Sequence, residues 1–227
     1  MSGRSRPPEA LAAPPRGRAL CLAPHPDDEV LGCGGTLALH RAQGDAVRVV
    51  VAFDGRLGLA GSRDPALRCA EARRGGALLD LCDYVFLGYP EGHEPSTAEL
   101  EQGAAALREL VRGWAADIVN APWIGEQHPD HRTLARAARL ALEGSPAQAW
   151  AYEVWTPLVP TRVVDVSAVW ERKLASLREH SSQLEHSDLV ARMRGLGALR
   201  SVHLPSGARY GEAFHPLLGP AGREEPA

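Results

Sequence analysis

The sequence predicts an α/β fold of Rossmann-like type, with a mainly parallel sheet that carries helices on both faces. Two observations predict it: short apolar runs alternate with segments of helical periodicity between residues 18 and 142, and glycines or prolines separate them. This alternation implies right-handed crossovers between parallel strands. In such sheets ligands bind at the carboxyl ends of the strands, where we therefore expect the active site.

The first two strand and helix pairs are predicted within residues 18–81. The run RALCLAP at 18–24 ends at a proline, as a buried parallel strand does at its carboxyl end. A helix is predicted over 31–43, and VRVVVAFDG at 47–55 is the second strand. The next helix is predicted over 62–81, with a proline in its first turn.

The same rhythm continues through two further pairs. A third strand is predicted at 84–88, a long helix from 97 to 115, a fourth strand at 117–123, and then a helix through Leu142. Beyond this point AQAWAYEVWTPL and TRVVDVS predict strands, whereas AVWERKLASLREHSSQ and LVARMRGLGALRSVH predict helices. These segments complete the same domain.

Residues 18–217 are therefore predicted to form one domain, with a disordered tail at 1–17 and a C-terminal tail at 218–227. A chain of 227 residues falls within the range of one ordinary domain. Its 44% hydrophobic and 23% charged residues are typical of a soluble globular enzyme.

The net charge limits the classes of partner that we expect, and the cysteine spacing indicates the redox environment. A formal net charge of -3 gives no electrostatic footprint for nucleic acid or anionic membrane, and no apolar segment reaches the length of a membrane span. The four cysteines show no CxxC pairing, and the N-terminal residues contain no secretory signal. We expect free thiols, a cytoplasmic location and a small-molecule substrate; a homo-oligomer stays open.

Two polar clusters follow the first and fourth predicted strands: HPDDE at 25–29 and EQHPDHR at 126–132. Because both loops lie at the carboxyl edge of the sheet, they can meet in one cleft. His25, Asp28 and His131 then make a two-histidine, one-carboxylate set, which with an open fourth position suits catalytic zinc. Water bound to such a metal has a pKa of about 7, which predicts a hydrolase. The same ligands also accommodate ferrous iron.

The remaining groups of the clusters acquire roles in hydrolysis. Asp27 can accept the proton of the attacking water. His128, as an imidazolium, can stabilise the oxyanion and help to protonate the leaving amine. Asp130 is predicted to orient His128 and to keep its pKa high.

Each cluster has a simpler interpretation when it is taken alone. HPD could be a turn that caps a helix, since aspartate is a good N-cap residue. The HxxH spacing could be two solvated residues on a first helical turn. The presence of both clusters at the same end of alternating strands favours a site.

The pair APHPDDEVLGCGGTLA and EQHPDHR closely resembles the LmbE-like, or PIG-L, family of zinc-dependent N-acetylglucosaminyl deacetylases. The segments LGYPEG, VDVS, WERKLASLREHSSQ and RYGEAF also look like features of that family. The resemblance implies the same ligands and the same general base as the residues do, and it adds an N-acetylated amino-sugar conjugate as the substrate. It also implies that Arg68 reaches the substrate.

Three positions depart from the family pattern, and all three are predicted to face substrate. Arg56 stands where the family often has an acid after the second strand. Glu91 replaces an aspartate, and Glu126 stands where some members have a tyrosine. The identity of the substrate therefore stays open.

Two alternatives to an N-acetylglucosamine-type deacetylase remain. One is an amidase on a different acyl-amide substrate, and the other is a non-catalytic metal-binding or sugar-binding module. Asp27 disfavours the second because it is superfluous for metal ligation.

Overall fold

The computed structural model describes residues 6–58 and 64–218. Its centre is an eight-stranded sheet with the strand order β1-β7-β8-β6-β5-β2-β3-β4. The strands are β1 (Glu9–Leu11), β2 (Ala19–Ala23), β3 (Val47–Phe53), β4 (Tyr84–Tyr89), β5 (Ile118–Pro122), β6 (Gln148–Tyr152), β7 (Arg162–Asp165) and β8 (Gly211–Pro216). Every pairing is parallel except those of β8, which runs antiparallel to β6 and β7. The predicted α/β class with a mainly parallel sheet is confirmed.

Helices cover both faces of the sheet. They are α1 (Asp28–Ala42), α2 (Pro65–Ala77), α3 (Thr97–Trp114), α4 (Pro129–Leu142), α5 (Trp170–Arg178), α6 (Ser181–Leu184) and α7 (Leu189–Arg200). Helices α1, α5 and α7 contribute to one apolar core and α3 and α4 to the other, because the buried strands present apolar side chains to both faces. Among the described residues, no helix combines the length and apolar character needed to cross a membrane.

Two strands differ from the sequence prediction. Residues 9–11 lie within the predicted disordered tail, but they form β1 and pair in parallel with β7, with Glu9 opposite Arg162. The three residues of this strand are too few to show an apolar pattern in the sequence. The strand is held by its backbone pairing with β7 at the sheet edge. Strand β8 was not predicted either. Residues 1–5, 59–63 and 219–227, which include most of the predicted C-terminal tail, lie outside the described residues.

A buried ion pair supports helix α1, which carries part of the first polar cluster. The helix consists of two segments joined at Cys33, where φ is -143° and ψ is 19°. Just beyond the break, the Glu212 carboxylate accepts hydrogen bonds from the amides of Gly35 and Thr36 at 2.8 and 2.7 Å. Lys173 pairs with the same carboxylate at 2.7 Å. Strand β8 and helix α5 thus satisfy the backbone groups that the break exposes.

Candidate active site

The two polar clusters meet because β2 and β5 are neighbours in the sheet. His25 follows β2, and His131 lies in the first turn of α4, after β5. Their ring centroids are 5.5 Å apart, and the His128 ring lies 4.9 Å from that of His25. The carboxyl edge of the sheet therefore brings together His25 and His131, which lie 106 residues apart in the sequence.

His25, Asp28 and His131 have the geometry of a three-ligand metal site. One ligand atom from each lies within 4.8 Å of the others, and all three residues are buried. Asp28 Oδ2 lies 3.1 Å from His25 Nδ1 and 3.2 Å from His131 Nε2. Neither ring nitrogen of His131 makes a hydrogen bond within the described part of the chain. Buried polar atoms are ordinarily paired, so this histidine fits a metal ligand.

A second set, formed by His25, Glu91, His128 and Asp130, also lies within 4.8 Å. One nitrogen of each histidine in this set is already engaged: His25 Nε2 donates to Asp130 Oδ2 at 3.0 Å, and His128 Nδ1 accepts from the Asp130 amide at 3.2 Å. The fully buried first set is therefore the better candidate for a metal.

The structure corrects the predicted partner of Asp130. Its carboxylate contacts His25, not His128, and it also accepts a hydrogen bond from the Gly92 amide at 3.1 Å. Burial lowers the pKa of His25, but the hydrogen bonds to Asp130 and Asp28 outweigh this effect and raise it to about 10. The carboxylates thus favour positive charge at this point, which a divalent cation would also supply.

His128 differs from the predicted imidazolium. Its pKa is lowered by burial and then by the nearby charges of His25 and His131. Because Nδ1 accepts the hydrogen bond from the Asp130 amide, the proton of the neutral ring lies on Nε2. His128 is therefore a neutral hydrogen-bond donor in this geometry.

Arg68 lies against the predicted general base. Its Nη2 donates to Asp27 Oδ1 at 2.9 Å, and its Nη1 donates to the Gly55 carbonyl at 3.0 Å. Burial raises the pKa of Asp27 and the Arg68 charge opposes that rise, which leaves the pKa at about 6. Arg68 is only 3% exposed, and its guanidinium contacts Asp27; its contact with substrate stays a prediction.

Glu126, predicted to face substrate, lies behind His131 instead. It is 1% exposed, and its carboxylate accepts hydrogen bonds from the amides of Val154, Trp155 and Thr156 at 2.5 to 3.3 Å. Its Oε2 lies 3.9 Å from His131 Nδ1. The HPDH spacing does not reveal this position, because it depends on the loop that follows β6.

The rim of the site contains Glu91 and Arg56. Glu91 Oε1 lies 3.6 Å from His25 Nε2, and Oε2 accepts a hydrogen bond from the Leu57 amide at 2.7 Å. The half-exposed Arg56 side chain pairs with Asp54, whose Oδ1 also accepts from the Glu91 amide at 3.4 Å. Asp54 was not predicted as a site residue, although it directly follows β3 and so lies at the carboxyl edge of the sheet, where ligands bind.

Comparisons with known proteins agree with this geometry. Residues 20–142 match the family model described as GlcNAc-PI de-N-acetylase, PIG-L. The 2'-N-acetylparomamine deacetylase of Streptomyces fradiae is 31% identical over 208 residues, which cover 75% of each chain. The diacetylchitobiose deacetylase of Thermococcus kodakarensis is 27% identical over 190 residues, which cover 73% of this chain and 70% of that protein.

A solved structure shows the same architecture. The N,N'-diacetylchitobiose deacetylase from Pyrococcus horikoshii, complexed with an inhibitor, superposes with a TM-score of 0.76 at 26% identity. The match covers 87% of this chain and 82% of the other.

Proposed function

Because the chain belongs to the PIG-L family, we propose that it is a metal-dependent hydrolase that removes the acetyl group from an N-acetylglucosamine-type sugar or glycoconjugate. The observation that carries this proposal is the buried His25, Asp28 and His131 set with Asp27 beside it, a carboxylate that ligation does not require. The names of the relatives, which denote deacetylases of diacetylchitobiose and 2'-N-acetylparomamine, support an amino-sugar substrate.

The metal is assigned to His25, Asp28 and His131, with zinc as the proposed ion and ferrous iron as the alternative. When bound, such an ion polarises the amide carbonyl and makes water acidic enough to attack near neutral pH. Asp130 accepts the Nε2 proton of His25 and so keeps Nδ1 directed towards Asp28.

The proton transfers are assigned to Asp27. Its carboxylate takes a proton from the attacking water as the new C–O bond forms, and Arg68 holds it in place at 2.9 Å. When the C–N bond breaks, the same carboxyl returns a proton to the leaving amine, and acetate is released. The Nε2 proton of neutral His128 stabilises the developing oxyanion by a hydrogen bond.

Glu91 and Arg56 are proposed to contact the sugar. Glu91 lies 3.6 Å from His25, and the Arg56 side chain, which pairs with Asp54, is 48% exposed. A carboxylate accepts hydrogen bonds from hydroxyl groups, and a guanidinium donates them.

A panel of N-acetyl sugars with added zinc tests the proposal through acetate release. Asp27→Asn should lower kcat at least about 100-fold on the best substrate, since a general base contributes at least that factor. Asp80→Asn is the matched control, because Asp80 forms an exposed ion pair with Arg172, and its activity should stay within about twofold. His25→Ala should lose bound metal while its circular dichroism spectrum is retained.

Two results would contradict these assignments. Full activity of Asp27→Asn would refute its role as the base. Tight sugar binding without turnover by the zinc-loaded wild-type protein would favour a binding module.

A further inference from the structure

An apolar cavity of about 450 Å³ lies beside the candidate active site, between strands β3 and β4 and helices α3 and α4. Its apolar wall includes Ala52, Phe53, Leu87, Leu100, Leu107 and Leu134. The cavity is open to solvent on one side, where Tyr89, His93 and Glu99 are exposed. An apolar cavity of about 150 Å³ is already large enough to bind benzene. A cavity three times that size has room for a substantial apolar group.

The charges in the cavity wall are paired with each other. His93 Nε2 lies 3.3 Å from Glu99 Oε1, and Glu99 also accepts hydrogen bonds from the amide and the hydroxyl of Ser96. Within the described part of the lining, these are the only acidic or basic side chains. Since they already have partners, the wall offers no unpaired charge for an ionic ligand, and it favours an uncharged apolar occupant.

Three segments connect the cavity with the candidate metal site. The Phe53 ring lines the cavity, and its centroid lies 6.0 Å from that of His25. Pro90 also lines it, directly before Glu91, whose Oε1 lies 3.6 Å from His25 Nε2. On α4, Leu134 follows one turn after His131. The cavity therefore adjoins the candidate metal site across the Phe53 ring.

We propose that this cavity is a subsite for an alkyl or aryl substituent of the amino-sugar conjugate, so that the preferred substrate is amphiphilic. This inference rests on the proposed deacetylase function. An acetyl group alone would leave most of the 450 Å³ unfilled, whereas a chain of several methylene groups would bury apolar surface against the leucines.

The test compares the octyl and methyl glycosides of N-acetylglucosamine, both below their critical micelle concentrations. Calorimetry with the zinc-loaded Asp27→Asn protein measures binding, and acetate release by the wild-type protein gives kcat/KM. The octyl glycoside should bind at least about tenfold more tightly and show a similarly higher kcat/KM, because each buried methylene contributes to affinity.

Gly103 offers a way to fill the cavity. It lies in the wall on α3, and no atom lies within 4 Å of an added Cβ. Gly103→Leu, made in the Asp27→Asn background for calorimetry, should reduce the octyl preference to below about threefold. Gly113→Leu is the matched control, because Gly113 is exposed on the same helix and has equal space around its Cβ. It should keep the wild-type ratio.

Equal affinity for the two glycosides would overturn the inference, as would an octyl preference that survives Gly103→Leu. If that variant does not fold, Ala137→Leu fills the cavity from α4 and decides the same question. The comparison of affinities tests the apolar subsite even if neither glycoside releases acetate. Absence of acetate release would refute only the proposed deacetylase function.

Discussion

Glu126 and Asp130 each place a carboxylate near the ring nitrogen of one site histidine that faces away from Asp28. Asp130 does so with a 3.0 Å hydrogen bond to His25, whereas Glu126 Oε2 lies 3.9 Å from His131 Nδ1. Carboxylates behind metal-binding histidines fix the ring orientation and the tautomer, and they raise the basicity of the ligand. We therefore predict a positioning role for Glu126, since its carboxylate is the one that faces Nδ1 of His131.

Replacement of Glu126 by Gln should weaken zinc binding by about 10- to 100-fold, because the negative charge near His131 Nδ1 is lost while one oxygen remains for the Val154 amide. Competition with a zinc chelator measures the affinity, and the melting temperature of the metal-free protein reports stability separately. Glu143→Gln is the control, because Glu143 is exposed. Unchanged zinc affinity in Glu126→Gln would limit this residue to holding the loop after β6.

At the scale of elements, local apolar patterns predicted β2 to β5 and the helices between them, because β2, β3 and β5 are buried apolar runs and the edge strand β4 is also rich in apolar residues. Strands β1 and β8 were missed, since β1 depends on pairing with the distant β7 and β8 contains glycine, glutamate and histidine. The same limit applies to the site. Motif spacing identified the residues that meet, but the contact of Arg68 with Asp27 depends on tertiary packing.

The break in α1 makes the buried pair of Lys173 and Glu212 important for stability. Lys173→Met should lower the free energy of unfolding by about 3–5 kcal/mol, because it leaves the Glu212 charge buried without a countercharge and removes the hydrogen bond to the Leu31 carbonyl. Urea-induced unfolding measures the loss. Arg112→Met, in an exposed pair with Glu109, should lose at most about 1 kcal/mol. If Lys173→Met also lost at most about 1 kcal/mol, the amides of Gly35 and Thr36 would be sufficient to stabilise the buried Glu212 carboxylate without Lys173.

At the scale of the whole molecule, the first part of the chain carries the proposed catalytic residues, and the later part contributes contacts that hold them in place. The family match covers residues 20–142, which carry the proposed ligands, base and oxyanion donor. Further supports come from the rest of the chain: residues 154–156 bind Glu126, and Glu212 caps the second segment of α1. The site therefore depends on the later strands and helices as well as on its two motifs, and its geometry should be sensitive to their stability.

His180 links the stability of this later region to pH. It is fully buried, and burial lowers its pKa to about 4, although the charge of Glu71 opposes the shift. The unfolded chain has a histidine pKa of about 6.5, so it binds a proton more readily than the folded protein between pH 6.5 and 4. The contribution to stability is therefore fully present above pH 6.5 and decreases as the pH falls towards 4.

Between pH 7 and pH 5 this linkage should remove about 2 kcal/mol from the free energy of unfolding, in addition to the effect of groups common to all variants. Urea-induced unfolding at the two pH values measures the loss. His180→Gln should lose about 2 kcal/mol less than the wild-type protein over this interval, whatever its stability at pH 7. His186→Gln, at an exposed position nearby, should show the wild-type dependence. If His180→Gln kept the full wild-type loss, protonation of His180 would not account for the acid sensitivity of the fold.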